Sequence, residues 1–88
     1  MIKIIDMYAK WCYPCKIIAP IVEKVAKDMN VELIKVDIDE NPVLVAQYNV
    51  KSVPTIIIDK DGTECGRLMG VTNKTEQELK EIISKNKE

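Results

Sequence analysis

Asp6-Met-Tyr-Ala-Lys-Trp-Cys-Tyr-Pro-Cys-Lys16 joins two segments of different periodicity, and the change of period across it decides the fold. Upstream, Ile2, Ile4, Ile5, Met7 and Tyr8 form a nearly continuous apolar run broken only by Lys3 and Asp6. Such a run suits a short buried strand over residues 2–8. Downstream of Pro14, the apolar positions Ile17, Ile18, Ile21, Val22, Val25, Ala26 and Met29 recur at spacings of three and four, between Lys16, Glu23, Lys24, Lys27 and Asp28. That pattern predicts an amphipathic helix of about four turns. Pro20 removes one amide donor inside it and is expected to bend the helix rather than end it, because the period continues on both sides.

Further out, Val31, Leu33, Ile34, Val36 and Ile38 predict a second strand. Asn41-Pro42 then signals a helix start, with Asn as N-cap and Pro in the first helical position, and a short helix is expected from 42 to about 48. Val53-Pro-Thr-Ile-Ile-Ile58 is dense in β-branched residues, Asp59-Lys-Asp-Gly62 is a tight-turn sequence, and residues 63–69 return as a strand, which makes a hairpin. After Gly70, a cap signal beginning at Thr72 and a sparse stripe at Leu79, Ile82 and Ile83 predict a closing surface helix. The expected architecture is α/β, in the order βαβαββα, with a four-stranded mixed sheet and helices on both faces. Crossovers through the first two helices are expected to make the first three strands parallel, the hairpin adding an antiparallel fourth.

No linker, repeat or low-complexity stretch interrupts the 88 residues, so a single domain over 1–88 is expected. A hydrophobic content of 47% with 31% charged residues is the mix of a folding globular chain. The net charge of −1 lacks the basic excess that binding a phosphate backbone needs, so no nucleic acid partner is expected. Apolar runs such as Val53 to Ile58 are far short of the roughly 20 residues that span a bilayer, and the first residues lack a signal-peptide layout. The expectation is a cytoplasmic monomer with no membrane contact.

Three cysteines, two of them separated by two residues, make a poor staple for a small secreted domain and leave metal binding or redox chemistry. Cys12 stands where a strand gives way to a helix, so amides and the positive dipole end converge on it and favour its thiolate. Cys15, one turn later, is placed to reach back and resolve a mixed disulfide. Pro14 fixes one φ between them and restricts the loop. A zinc half-site is the competing reading, but a closed zinc site wants four ligands, and the chain has no histidine and only Cys65 besides. An inert structural disulfide is the other.

Asp6 lies within the apolar first strand, where burial would raise its pKa and suit it to proton transfer; the alternative is that it faces water on the alternating strand. Trp11, the only tryptophan, flanked by Lys10 and Cys12, is expected at the surface, where with Tyr13, Val53 and Gly70 it forms a shallow apolar rim. Cys65 reads as a small buried or half-buried hydrophobe; a regulatory thiol is the alternative, with nothing nearby that specifically activates it.

The segment from Asp6 to Lys16 followed by Pro20 resembles the active-site region of thioredoxins. Lys35-Val-Asp-Ile-Asp-Glu-Asn-Pro42, Tyr48-Asn-Val-Lys-Ser-Val-Pro-Thr55, Asp61-Gly62 and Gly70 resemble the same family in order and spacing, so the likeness covers nearly the whole chain. It implies a thioredoxin-like fold and a thiol:disulfide oxidoreductase, with Cys12 as nucleophile, Cys15 as resolving thiol and Asp6 as the buried acid that helps deprotonate it. It further implies that Lys35 moderates that acid and that Pro54 is a cis proline facing the pair. Trp11, Tyr13, Pro14, Val53, Pro54 and Gly70 would then contact disulfide-containing substrate proteins. No metal or organic cofactor is implied, because the electrons reside in the two sulfurs; regeneration would fall to an NADPH-dependent flavoprotein reductase or to glutathione.

Two departures from the family pattern stand out. Tyr13 replaces the usual glycine, while glutaredoxins carry Pro and Tyr in the opposite order. The chain also begins at what would be the second strand of a full-length thioredoxin, which implies a glutaredoxin-sized core. A thioredoxin-like binding module and a glutaredoxin-like, glutathione-dependent reductase are the alternative functions. An oxidase or isomerase is disfavoured by the lack of an export signal.

Overall fold

The computed structural model of the chain describes residues 1–87. Its elements are β1 (Ile2–Tyr8), α1 (Tyr13–Met29), β2 (Glu32–Asp37), α2 (Pro42–Gln47), β3 (Thr55–Lys60), β4 (Thr63–Met69) and α3 (Thr75–Asn86). The single unit expected over 1–88 is thus described up to Lys87, and Glu88 lies outside the described residues.

The sheet order is β2-β1-β3-β4. β1 pairs in parallel with β2 and antiparallel with β3, and β3 pairs antiparallel with β4. This corrects the expectation of three parallel strands. The reason is length. The 17-residue α1 spans a sheet face and returns the chain to the end where β1 began. The six-residue α2 is only about 9 Å long, shorter than the roughly 20 Å of a six-residue strand. The chain therefore stays at the far end of the sheet, and β3 starts there, with Thr55 opposite Met7, and runs back until Lys60 lies opposite Ile2.

Strand periodicity splits the apolar residues of β1 between two cores. Ile4 joins Ile18, Val22 and Val25 of α1, Ile56 and Ile58 of β3, and Leu79 and Ile83 of α3. Ile5 and Met7 point the other way, against Val36, Ile57 and the α2 side, where Leu44, Tyr48 and Val50 cover them. Helices thus lie on both faces. α3 sits close on β4, since a Cβ on Gly66 would come within 3.2 Å of the Ile82 side chain.

Several element ends and caps differ from expectation; β3, for one, runs on through Asp59 and Lys60, which were expected in the turn. β3 begins at Thr55 rather than Val53, because Pro54, which follows a cis peptide bond, has no N–H for the ladder. α3 begins at Thr75: Thr72 and Thr75 instead close a turn, the Thr72 amide donating to Thr75 Oγ1 at 2.9 Å, and Lys74 at the N-cap makes no side-chain cap. Asn41 precedes α2 but does not cap it; its Nδ2 donates to the Asp37 carbonyl at 3.0 Å. α1 continues unbroken past Pro20 and is closed by Asn30, whose left-handed backbone turns the following amide, Val31 N–H, back to the Ala26 carbonyl at 3.0 Å.

Candidate active site

β1 ends at Tyr8, and the chain turns through Ala9–Trp11 into α1 with Cys12 at the N-cap, its backbone extended (φ −93°, ψ 110°). The Cys12 sulfur takes the place a capping oxygen usually fills, accepting from the Cys15 amide at 3.2 Å. Pro14 occupies the first turn, where a missing N–H costs nothing, and no acidic side chain lies in that turn to oppose negative charge on the sulfur. Cys12 and Cys15 are joined as a disulfide, with Cα atoms 5.3 Å apart. Both residues are buried in a small cluster with Ala9, against which Tyr8, Ile38 and Val53 pack.

Val53 therefore carries the cis Val53–Pro54 bond to the cysteine cluster. The Pro54 carbonyl accepts from Gly70 N–H at 2.9 Å, which brings Gly70 alongside. Gly70 has φ +78°, a conformation that disfavours side chains, although a Cβ there would meet nothing within 4 Å. Trp11 (69% exposed) and Tyr13 (71%) flank the pair at the surface, as the sequence indicates.

Trp11 does not stand free. Its Nε1 donates to Asp39 Oδ2 at 3.0 Å, and beside it Lys10 Nζ donates to Glu40 Oε2 at 3.3 Å. The turn after β2 is itself braced, the Asp39 amide donating to Asp37 Oδ1 at 3.0 Å. The sequence alone does not pair Asp39 and Glu40 with Lys10-Trp11; that pairing needs the β1–β2 register, which places Tyr8 opposite Asp37.

Asp6 is 2% exposed, so of its two sequence readings the buried one holds, and its Oδ1 has no hydrogen-bond partner among the described residues. Burial pushes its pKa up to about 6, against the opposing pull of Lys35, with Glu23 adding to the rise. Lys35 is the cross-strand neighbour of Asp6 in the β1–β2 register. Its ammonium nevertheless pairs with Glu23 of α1, at 2.6 Å, and that bond is the main reason its own pKa is raised. Glu23 was not singled out from the sequence; the available signal is its spacing of four and eight residues from Ala19 and Cys15 on one helix face. A cleft of about 450 Å³ opens between β1 and α1, lined among others by Asp6, Cys15, Ala19 and Lys35, so it joins the buried acid to the second cysteine.

Cys65 lies on β4, half-buried against the α1–α3 core and separate from the cysteine cluster.

A thiol pair at a helix N-terminus, with a buried acid behind it and a cis proline beside it, is suited to disulfide exchange. The sequence model of the Thioredoxin family matches residues 1–85. The chain belongs to the thioredoxin family. It is 40% identical over 87 residues to the thioredoxin of Staphylococcus epidermidis, covering 97% of this chain and 82% of that protein. The thioredoxin of Staphylococcus aureus is 39% identical over the same lengths. Among solved structures, a mutant thioredoxin from Halobacterium salinarum superposes with a TM-score of 0.89 at 34% identity, over 99% of this chain and 75% of that one. Fasciola hepatica thioredoxin gives 0.85 at 41% identity, over 98% and 81%.

The fold is thioredoxin-like, and the protein is a thiol:disulfide oxidoreductase of the disulfide-reductase type, with Cys12–Cys15 as its CxxC pair. Thioredoxins generally reduce disulfide-containing substrates and are themselves reduced by thioredoxin reductase. No helix among the described residues is long and apolar enough to cross a membrane.

Proposed function

We propose that Cys12 is the attacking thiolate and Cys15 the resolving thiol in the reduction of protein disulfides. The observation that carries this assignment is the Cys15 amide donating to the Cys12 sulfur at the start of α1, since a hydrogen bond and a helix dipole both favour the charged form of an N-cap thiol. In the reduced protein, the Cys12 thiolate attacks one sulfur of the substrate disulfide. That S–S bond breaks, the other substrate sulfur leaves as a thiolate and takes a proton, and a mixed disulfide joins Cys12 to the substrate. Cys15 then gives its proton to the Asp6 carboxylate across the shared cleft and attacks the Cys12 sulfur. The second substrate thiolate departs, the Cys12–Cys15 disulfide remains, and two electrons have passed to the substrate.

Trp11, Tyr13, Pro14, Val53, Pro54 and Gly70 form the substrate contact surface, with Lys35 modulating Asp6. The electrons return from an NADPH-dependent flavoprotein reductase, the family's usual donor; Trp11 and the CxPC loop favour it over glutathione. The protein acts as a cytoplasmic monomer, a single domain over 1–88.

A trapping experiment tests the roles. Cys15→Ser should accumulate a mixed disulfide through Cys12 with a model disulfide protein, and Cys12→Ser should not. Adducts through Cys15 instead would reverse the assignment. Comparing turnover with NADPH plus thioredoxin reductase against turnover with glutathione identifies the electron donor.

A further inference from the structure

We propose that Glu23 is a positioning residue, which holds the Lys35 ammonium away from Asp6 and so leaves the Asp6 carboxylate free to take the proton of Cys15. The inference rests on the reading of Asp6 as the proton partner of Cys15. Asp6 and Lys35 are register neighbours on β1 and β2, on strands about 4.8 Å apart, with side chains on the same face. A buried carboxylate with a lysine beside it ordinarily takes that lysine as its ion-pair partner, because an unpaired buried acid is costly. Here the lysine goes elsewhere: its Nζ is 2.6 Å from Glu23 Oε2, and Asp6 Oδ1 is left with no hydrogen-bond partner among the described residues.

The helix explains the diversion. Cys15, Ala19 and Glu23 succeed one another at intervals of four along α1, and the short side chain of Ala19 leaves the cleft open between the acid and the sulfur. Glu23 stands at the next turn, outside the residues lining that cleft, and draws the flexible lysine toward itself. Other charged or titratable groups near Asp6 are few. α1 contributes Cys15 and Lys16, and the end of β1 contributes Tyr8 and Lys10, the latter engaged with Glu40. β3 places Ile56 opposite Asp6, and α3 presents Leu79 and Ile83 to the same face. Of the lysines around the cleft, Lys35 is the register neighbour of Asp6 and the one whose charge acts on it. Its charge favours ionised Asp6, whereas that of Glu23 opposes it.

The test follows the Asp6 carboxyl by 13C NMR against pH in the reduced full chain, for the wild type, Glu23→Gln, Lys35→Met and the double variant. Glu23 and Lys35 are both half-exposed, so these changes leave the core intact. Glu23→Gln should lower the Asp6 midpoint by roughly one pH unit, as the freed lysine swings onto the carboxylate, and should move the acid limb of turnover with it. In the Lys35→Met background the same substitution should shift it far less. An unmoved midpoint in Glu23→Gln overturns the proposal, and so does an equal shift in both backgrounds, which would mean that Glu23 acts on Asp6 directly. A turnover profile insensitive to Asp6→Asn would instead overturn the reading of Asp6 as proton partner, and the purpose assigned to Glu23 with it. A normal Asp6 dependence beside an unmoved Glu23→Gln midpoint would sink the Glu23 inference alone.

Discussion

The backbone amide of Cys15 donates to the sulfur of Cys12 at 3.2 Å, so the second cysteine helps to set the chemistry of the first before any substrate arrives. The bond is local, made within one turn of helix, and it follows from placing a cysteine where an N-cap serine or aspartate would stand.

Reduced protein should therefore alkylate fastest at Cys12. At neutral pH, iodoacetamide labelling followed by peptide mass analysis should show Cys12 modified well before Cys15 and Cys65. Equal rates at all three thiols would remove the argument for an activated nucleophile.

Asp6 links function to stability. Its folded pKa of about 6 lies above the ordinary 3.8, so the folded state holds a proton that the unfolded state releases. The stability this group contributes is then full below about pH 4 and declines as pH rises through about 6, by about 3 kcal/mol in all. Asp6→Asn should abolish that decline, raise the denaturation midpoint at pH 7.5, and slow turnover. Denaturant titrations at pH 4.5 and 7.5 check the sign. A variant that is less stable at pH 7.5 yet turns over normally would make Asp6 a structural residue.

The Trp11–Asp39 bond ties the active-site loop to the turn after β2. Asp39→Ala removes one exposed hydrogen bond, which should cost no more than about 1 kcal/mol of stability. The indole loses its tether, so tryptophan fluorescence anisotropy should fall and the KM for protein disulfides should rise. Unchanged anisotropy would show that the loop is held by other contacts.

Gly70 gives a prediction of a different kind. With φ +78° and open space around its absent side chain, Gly70→Ala should cost about 1–2 kcal/mol through backbone strain alone, read as a lower Tm. No loss of stability would mean that the segment relaxes, and the Gly70 to Pro54 hydrogen bond should then be looked for by amide exchange.

Where apolar spacing alone carries the information, one line of text is enough: β1 and α1 follow from a run and a period, while the 63–69 strand follows from the turn residues before it. The direction of β3 was not legible, because it depends on whether α2 is long enough to cross the sheet, a comparison of lengths rather than of patterns. Asp6 could be picked out as a carboxylate in an apolar strand, but its burial depended on which face α1 covers. Glu23 is one of several charged residues along α1, and nothing marks it until the β1–β2 register places Lys35 beside Asp6. Asp39 stayed hidden for the same reason.

The most direct test of the protein as a disulfide reductase is the equilibrium midpoint potential of the Cys12–Cys15 pair, measured in a Cys65→Ser background so that the third thiol cannot exchange. Every 30 mV is about 1.4 kcal/mol for a two-electron couple, so moderate precision suffices. A midpoint within or below the cytosolic glutathione range, roughly −220 to −320 mV, is the predicted result. A value at or above about −180 mV would make the protein an oxidant or isomerase and contradict the account.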